Sequence, residues 1–212
     1  MFRKLTDRPA ARTGLLYLAM AALYLLACLV GLVQGAFYTF KGLAPRRTLT
    51  VEELTCESVV VRDHSYDESI PEGQTRIVST DTDPHLVWEG EAWVGRVVLH
   101  VQPLRPATGA ELYYRVPGKA EFDTKNVVFG VPDGQGGYVF DLRGRHVTGL
   151  RIDPDSIGGV AAVFEGVELN APRPWYSAFR PTGQELLWLA GGTLVVSAAW
   201  ELLSVLRKKP SP

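Results

Sequence analysis

Cysteine is scarce in this sequence: 212 residues contain only Cys28 and Cys56. Cys28 lies inside a long apolar run and Cys56 lies in the polar middle of the chain, so no disulfide can form within the middle region. Extracytoplasmic domains without disulfides are more typical of bacterial surfaces than of animal secretory proteins. If the middle of the chain lies outside the cell, we therefore expect a bacterial protein.

The motifs of common catalytic sites are also missing. The four histidines stand apart along the chain, and none has a neighbour at metal-ligand spacing. No Gly-x-Ser-x-Gly elbow or phosphate loop occurs, and Cys56 has no recognisable nucleophile context. The turn containing Gly134, Gly136 and Gly137 has no following helix that could complete a phosphate cradle. We predict that the chain is not an enzyme.

The sequence has no large excess of one charge, with 22 basic against 23 acidic residues. The distribution is nevertheless uneven. Residues 1–13 carry four basic residues against one acidic, and residues 207–209 are all basic, whereas residues 41–184 carry fifteen basic against twenty acidic residues. The acidic middle has no basic stripe interleaved with aromatics, so we expect no nucleic-acid partner.

Two long apolar runs are present. Leu15–Val33 contains no charged residue and continues to Phe40 before Lys41, and Leu186–Leu206 contains Glu201 as its one ionisable residue. As helices, both are long enough to cross a hydrocarbon core of ~30 Å. A cleaved signal peptide is the alternative for the first run. Its length and its aromatic end favour an uncleaved transmembrane helix.

The basic flanks lie outside both runs, so the positive-inside rule places both termini in the cytoplasm and the middle outside a bacterial plasma membrane. The predicted organisation is a cytoplasmic N-terminus (1–13), a first transmembrane helix (14–40), a linker (41–50), a β-sandwich (51–170), a second linker (171–184), a second transmembrane helix (185–206) and a cytoplasmic tail (207–212).

The second helix offers a candidate contact with a membrane partner. Gly191 and Gly192 are small enough for close helix packing, although they form no strict motif. Glu201 lies within about two turns of the basic tail. It is either an interfacial residue or a polar contact with a partner helix.

Short runs rich in β-branched and aromatic residues fill the middle region, separated by turns such as Pro117-Gly118. Eight or nine such runs without amphipathic helices between them predict an all-β sandwich or jelly roll. Within Val147–Asp153, Leu150 and Ile152 alternate with Arg151 and Asp153, which predicts one core face. Within Ala162–Leu169, the same rule places Val163, Val167 and Leu169 on one face.

Three segments resemble galactose-binding-like jelly-roll modules: STDTDPHLVWE (79–89), ELYYRVPGKAEFDTKNVVFGVP (111–132) and YVFDLRGRHVTGLRIDP (138–154), followed by EGVELN (165–170). These are similar to the carbohydrate-binding domains appended to bacterial membrane glycosyltransferases and other cell-surface polysaccharide proteins. The resemblance covers roughly Thr50 to Asn170 and implies a carbohydrate-binding type of fold. The chain departs from the glycosyltransferase pattern because it has no catalytic domain, which implies an accessory protein.

A carbohydrate surface needs exposed aromatic faces and planar polar side chains. The predicted glycan contacts are Trp88, Trp93, Tyr114, Arg143 and Arg145. The two tryptophans have the alternative of lying in the core, and one of the adjacent pair Tyr113 and Tyr114 must face inward.

Paired aspartates offer a second candidate site. Asp81, Asp83, Asp153 and Asp155 could supply oxygen ligands to a structural Ca²⁺. The alternative is that these Asp-x-Asp pairs cap turns through side-chain to backbone hydrogen bonds. No other cofactor is expected.

Two functions remain open. The first is a non-catalytic, membrane-anchored accessory subunit that docks onto a polytopic glycosyltransferase or polysaccharide-assembly protein. The second is an independent membrane-tethered, lectin-like module that binds surface glycan directly. The first agrees better with the two apolar runs and the missing catalytic domain.

Overall fold

The computed structural model describes residues 9–105, 109–172, 175–181 and 183–207. It divides the chain into two compact units, one of Met1–Gln34 with Arg173–Pro212 and one of Gly35–Pro172. Of the predicted cytoplasmic ends, 1–13 and 207–212, residues 1–8 and 208–212 lie outside the described residues.

Helices dominate the first unit. Helix α1 is Pro9–Phe40, and after a 3-10 turn at Trp175–Phe179 come α2 (Gly183–Leu187), a π-helical turn (Trp188–Gly192) and α3 (Thr193–Arg207). The Thr13 and Ser197 hydroxyl oxygens lie 2.7 Å apart, and the Tyr17 hydroxyl donates to the Ala190 carbonyl over 3.3 Å. These contacts run in opposite chain directions, so the two apolar helices are antiparallel.

Both apolar runs are helical, as predicted. The segments Ala11–Phe40, of 30 residues, and Glu185–Leu203, of 19, are long and apolar enough to cross a membrane. Both segments meet this criterion by length and composition.

The second unit is a β-sandwich, as predicted. Its twelve strands among the described residues are β1 (Arg47–Leu49), β2 (Thr55–Glu57), β3 (Val59–Arg62), β4 (Thr75–Ser79), β5 (His85–Trp88), β6 (Ala92–Pro103), β7 (Glu111–Arg115), β8 (Val127–Phe129), β9 (Val131–Pro132), β10 (Tyr138–Val147), β11 (Gly149–Asp153) and β12 (Ala161–Leu169).

These strands form two antiparallel sheets. Sheet A has the order β3-β4-β12-β6-β10-β9, with β1 also paired to β12, and sheet B has the order β2-β5-β11-β7-β8. The inward side chains of both sheets form one apolar core that includes Phe140, Leu112 and Leu99, all fully buried. Burial of such side chains stabilises the domain by about 1.5–3 kcal/mol each.

Strand alternation was predicted correctly for β11 and incorrectly for β12. Leu150 and Ile152 are buried in the core while Arg151 and Asp153 face outward. In β12, Phe164 points inward and Val163 does not, because a bulge at Gly166 shifts the register before Val167. Gly166 has φ 131°, and an added Cβ would lie 2.9 Å from the Leu49 carbonyl oxygen. Only glycine fits this close approach of β1.

The predicted linker 41–50 is partly wrong. It contains β1, whose Leu49 is completely buried in the sandwich core, so the folded unit extends beyond the predicted range 51–170. Ser58 has φ 54° and separates β2 in sheet B from β3 in sheet A. A left-handed residue changes the direction of the chain, which here moves it from one sheet to the other.

The sandwich has two distinct ends. We call the end where the last turn of α1 meets the strands the helix end; there Trp93 at the start of β6 and His146 near the end of β10 are paired. We call the opposite end the open end; there Asp153 of β11 is paired with Glu111 of β7.

Candidate functional site

The aromatic side chains predicted to bind glycan are not available at the surface. Trp88 is 8% exposed and belongs to the core, so it offers no face to a sugar. Tyr114 packs against the same core because it shares the inward face of β7 with Leu112. Trp88 therefore has the core position that was its alternative, while the glycan contact of Tyr114, which is only partly buried, stays a prediction.

Trp93 is not buried, yet both of its ring faces are covered. The Tyr38 ring stacks on it at a centroid distance of 3.9 Å and the His146 ring at 5.0 Å, with interplanar angles of 17° and 8°. The His146 Nε2 lies 2.9 Å from Glu91 Oε1. A sugar would have to displace one of these rings to stack on Trp93, and its glycan contact stays a prediction.

Arg143 and Arg145 are exposed, as a binding role would require. They lie in a bulge of β10, between Asp141 and the restart of regular pairing, where Arg143 has φ 55°. The bulge is at the helix end beside Trp93. By strand register, Arg145 comes one pair before the His146–Trp93 pair, whose tryptophan has both ring faces covered.

A cleft with a volume of about 370 Å³ lies at the open end of the sandwich, along the edge of sheet B. The side chain of Phe129, 67% exposed, forms part of its wall. Acidic and polar groups complete the cleft. Its lining residues are Thr82, Asp83, Gly109, Ala110, Glu111, Tyr113, Phe129, Gly130, Asp153, Asp155 and Ser156.

Tyr113 is the member of the tyrosine pair that faces outward. Its hydroxyl donates a 2.6 Å hydrogen bond to Glu111 Oε2. This bond raises the pKa of Tyr113 to about 12, because the phenolate would face the Glu111 carboxylate; burial adds to the effect. The sequence held a signal for this choice: Leu112 marks the inward phase of β7, so Tyr113 had to be the outward residue.

Arg151 holds two of the cleft's carboxylates in place. Its Nε donates to Asp153 Oδ1 and one terminal nitrogen donates to Asp153 Oδ2, both over 2.8 Å, which is a bidentate pairing. The same terminal nitrogen also donates to Asp83 Oδ1. Its guanidinium lies 5.4 Å from the centre of the Tyr113 ring. One cation therefore orients two acids and covers one aromatic face.

Burial raises the pKa of Asp153, even though its bonds to Arg151 act in the opposite direction. The side chain of Asp153 is 15% exposed, against 66% for Asp83. Burial thus makes the charged form of Asp153 more costly than it would be in water.

The predicted calcium ligands are only partly brought together. Asp83, Asp153 and Asp155 line the cleft, whereas Asp81 accepts hydrogen bonds from the Ser58 hydroxyl and the Asp83 amide. The Asp81 pattern is the turn-capping alternative. Within the described ranges, no group of three or more His, Cys, Asp or Glu residues is arranged to hold a metal ion. Calcium binding stays a prediction.

The predicted partner-contact residues lie in the helical unit. Gly191 and Gly192 fall in the π-helical turn, and a Cβ added at Gly191 would meet nothing within 4 Å among the described residues. Glu201 is exposed on α3. Nothing in this geometry identifies a partner, so the contact stays a prediction.

No family model and no curated protein matches the sequence. Among solved structures, the chain is similar to the low-affinity xylan-binding module CBM86 of Roseburia intestinalis, with 15% identity and a TM-score of 0.39 over 59% of this chain and 95% of the module. It is similar to CsCBM6-3 of Clostridium stercorarium, solved in complex with cellobiose, with 9% identity and a TM-score of 0.37 over 59% of this chain and 94% of that one. A third is the C-terminal CBM6 of LamC from Zobellia galactanivorans, with 9% identity and a TM-score of 0.36 over 60% and 100%.

All three of these solved structures are carbohydrate-binding modules.

Proposed function

We propose that the chain is a non-catalytic, membrane-anchored accessory protein of a bacterial cell-surface polysaccharide or glycosyltransferase assembly, and that it binds glycan in the open-end cleft. One observation carries this proposal: the exposed ring of Phe129 stands beside the carboxylates of Glu111, Asp83 and Asp153 in a cleft of about 370 Å³. Pockets for small ligands have volumes of roughly 300–1,000 Å³.

The chemistry of these groups suits a sugar. The C–H face of a pyranose packs on an aromatic ring, and Phe129 is the ring in the cleft that remains most exposed. Carboxylate oxygens accept hydrogen bonds from hydroxyl groups, and Arg151 already fixes the orientation of Asp83 and Asp153. A site that is ordered before binding loses less conformational entropy when the ligand arrives.

The charge of the cleft narrows the ligand class. Four carboxylates line it (Asp83, Glu111, Asp153 and Asp155), and Arg151 is the cation bonded to two of them. A local excess of negative charge repels anions. We therefore propose a neutral glycan rather than one built from uronic acids or sugar phosphates.

The accessory role rests on the helices and on the lack of catalytic motifs. Both apolar helices are long enough to span a bilayer. They run antiparallel, so the N-terminal end of α1 and the C-terminal end of α3 lie at the same end of the helix pair. Gly191 offers open space where another helix could approach closely. A polytopic glycosyltransferase or polysaccharide-assembly protein is the proposed partner.

Glycan binding is tested on the full chain in neutral-lipid nanodiscs, applied to an array of neutral and acidic oligosaccharides. We expect binding to neutral oligosaccharides, and Phe129→Ala should weaken it about tenfold or more because the stacking surface is lost. Tyr66→Ala is the matched control, since Tyr66 is equally exposed, at 67%, but does not line the cleft. Equal losses in both variants, or a preference for acidic glycans, would contradict the proposed site.

The accessory role is tested by purifying the full chain from its native membrane in mild detergent. We expect a polytopic membrane protein to co-purify, and Gly191→Leu to release it because the added side chain fills the approach surface. Recovery of the chain alone would reject the accessory role and leave an independent tethered glycan-binding module.

A further inference from the structure

The open-end cleft takes part of its lining from two loops. Thr82 and Asp83 lie in the loop between β4 and β5, and Asp155 and Ser156 lie in the loop between β11 and β12. A loop does not share the repeating ladder of hydrogen bonds that fixes the backbone of a strand. The side chains of these loops therefore face a ligand in one arrangement only if other contacts hold the loop backbone.

Ser79, the last residue of β4, supplies several of these contacts. Its amide donates to the Val160 carbonyl over 3.0 Å, and its carbonyl accepts from the Gly159 amide over 2.6 Å. Its hydroxyl accepts from the Val160 amide over 2.9 Å and donates to the Ile157 carbonyl over 2.8 Å. The backbone groups and the hydroxyl of Ser79 are therefore all bonded to residues 157–160.

The hydroxyl is the part of this junction that a mutation can remove. Ser79 and Val160 are both 5% exposed, so water does not readily replace the hydroxyl as the acceptor of the Val160 amide. A buried amide without an acceptor is unfavourable. Without the hydroxyl, we expect the loop to shift until the Val160 amide finds another partner.

The two loops also pack directly against each other. A Cβ added at Gly158 would lie 3.1 Å from the Asp81 carbonyl oxygen, and the Arg105 guanidinium donates to the Gly158 carbonyl over 2.9 Å. The bond from Ser79 to Ile157 acts on the residue that directly follows Ser156. A shift of residues 157–160 would consequently be transmitted to the cleft.

We propose that Ser79 is a positioning residue of the open-end cleft, whose hydroxyl holds residues 157–160 so that Asp155 and Ser156 keep the arrangement that a glycan binds. Ser79 is not among the described residues that line the cleft, so it acts through these two. This inference rests on the proposed function, because it concerns the same cleft. Loops that are ordered before binding lose less conformational entropy when the ligand arrives, so removal of the hydroxyl weakens binding without removing a contact to the glycan.

The test titrates the full chain in neutral-lipid nanodiscs with the neutral oligosaccharide that binds wild type best. Ser79→Ala should raise the Kd about three- to tenfold, because part of the binding free energy is then spent on ordering the loop. Ser79→Thr should keep most of the affinity, because threonine retains the hydroxyl and suits a β-strand. Ser79 also lines a small cavity of about 20 Å³, which leaves room for the added methyl group.

Thr148→Val is the matched control, because it removes a partly buried hydroxyl at the helix end, between β10 and β11, where the oxygen bonds to Arg115. All variants are compared at a temperature where unfolding curves show them folded. Thr148→Val should bind glycan as wild type does. The inference is overturned if Ser79→Ala loses no affinity, if the control loses as much, or if Ser79→Thr does not restore binding.

Hydrogen exchange on the free protein separates this inference from the proposed function. In Ser79→Ala the Val160 amide loses its acceptor, so exchange within residues 155–160 should become faster while β10 exchanges as in wild type. Unchanged exchange in residues 155–160 would overturn the inference whatever the titration shows. If wild type binds no neutral oligosaccharide, the proposed function fails, and faster exchange in Ser79→Ala would then leave Ser79 a structural role only.

Discussion

The two ends of the β-sandwich use aromatic residues in opposite ways. At the helix end, Trp93 lies between Tyr38 and His146 with both ring faces covered, whereas at the open end Phe129 presents an exposed ring to a cleft. A covered ring contributes to stability, and an exposed ring beside fixed polar groups is suited to a ligand. The residue type alone does not separate these roles.

The ends also differ in charge. Arg143 and Arg145 are exposed at the helix end, while Asp83, Glu111 and Asp153 line the cleft at the open end. The net charge of the whole domain therefore does not describe the cleft, where carboxylates predominate.

The largest expected effect comes from removing the ring that joins α1 to the sandwich. Trp93→Ala should lower the free energy of unfolding by about 3 kcal/mol, because both stacking contacts are lost and a cavity remains. Thermal or denaturant unfolding of the full chain in detergent measures this.

Trp175→Ala is the matched control for that experiment, since Trp175 is 72% exposed and packs only at ring edges against Tyr176 and Phe179. Its effect should stay below about 1 kcal/mol. Comparable losses in the two variants would show that the stack at the helix end adds no special stability.

The next effect is a pH dependence at the open end. Because the pKa of Asp153 is raised, acidification protonates this acid before an ordinary aspartate. The protonated carboxyl group then no longer offers charged acceptor oxygens to the hydroxyl groups of a sugar. We expect affinity for neutral glycan to fall about tenfold as the pH drops from neutral toward that pKa. Glycan titrations at a series of pH values measure it.

Stability should respond with the opposite sign. A carboxyl group whose pKa is higher in the folded state favours folding when protonated, so the contribution of Asp153 is lost as the pH rises through its folded pKa. Asp153→Asn should bind glycan more weakly at neutral pH and flatten both pH dependences. An unchanged pH profile in this variant would assign the titration to another group.

The smallest effect is expected from Tyr113→Phe, which removes one hydroxyl and keeps the ring under Arg151. The lost hydrogen bond to Glu111 should cost about 1 kcal/mol of stability. Glycan affinity should change by less than about fivefold, because the Glu111 carboxylate remains as an acceptor. A loss as large as that of Phe129→Ala would make Tyr113 a principal contact.

Much of the fold could be predicted from local sequence. The alternation of Leu150 and Ile152 with Arg151 and Asp153 gave the correct faces of β11, since β11 is regular. The same rule failed for Val163 because the bulge at Gly166 shifts the phase of β12. A period of two predicts faces only where no residue is inserted.

The candidate site was harder to predict because it depends on contacts between distant residues. Nothing near Trp93 in the sequence indicates that Tyr38 will cover its ring. The exposure of Phe129 follows from the position of β8 at the edge of sheet B, which depends on strand pairing. Three of the four predicted metal-site aspartates do line one cleft, but Arg151 bonds to two of them, and its contact with Asp83 joins residues 68 positions apart.

The most direct test of the central claim is a structure of the full chain with the neutral oligosaccharide that binds best. We predict a sugar ring stacked on Phe129, with hydroxyl groups donating to Glu111 and Asp153 at the open end. A sugar at the helix end, or on the outer face of sheet A, would contradict the proposed site.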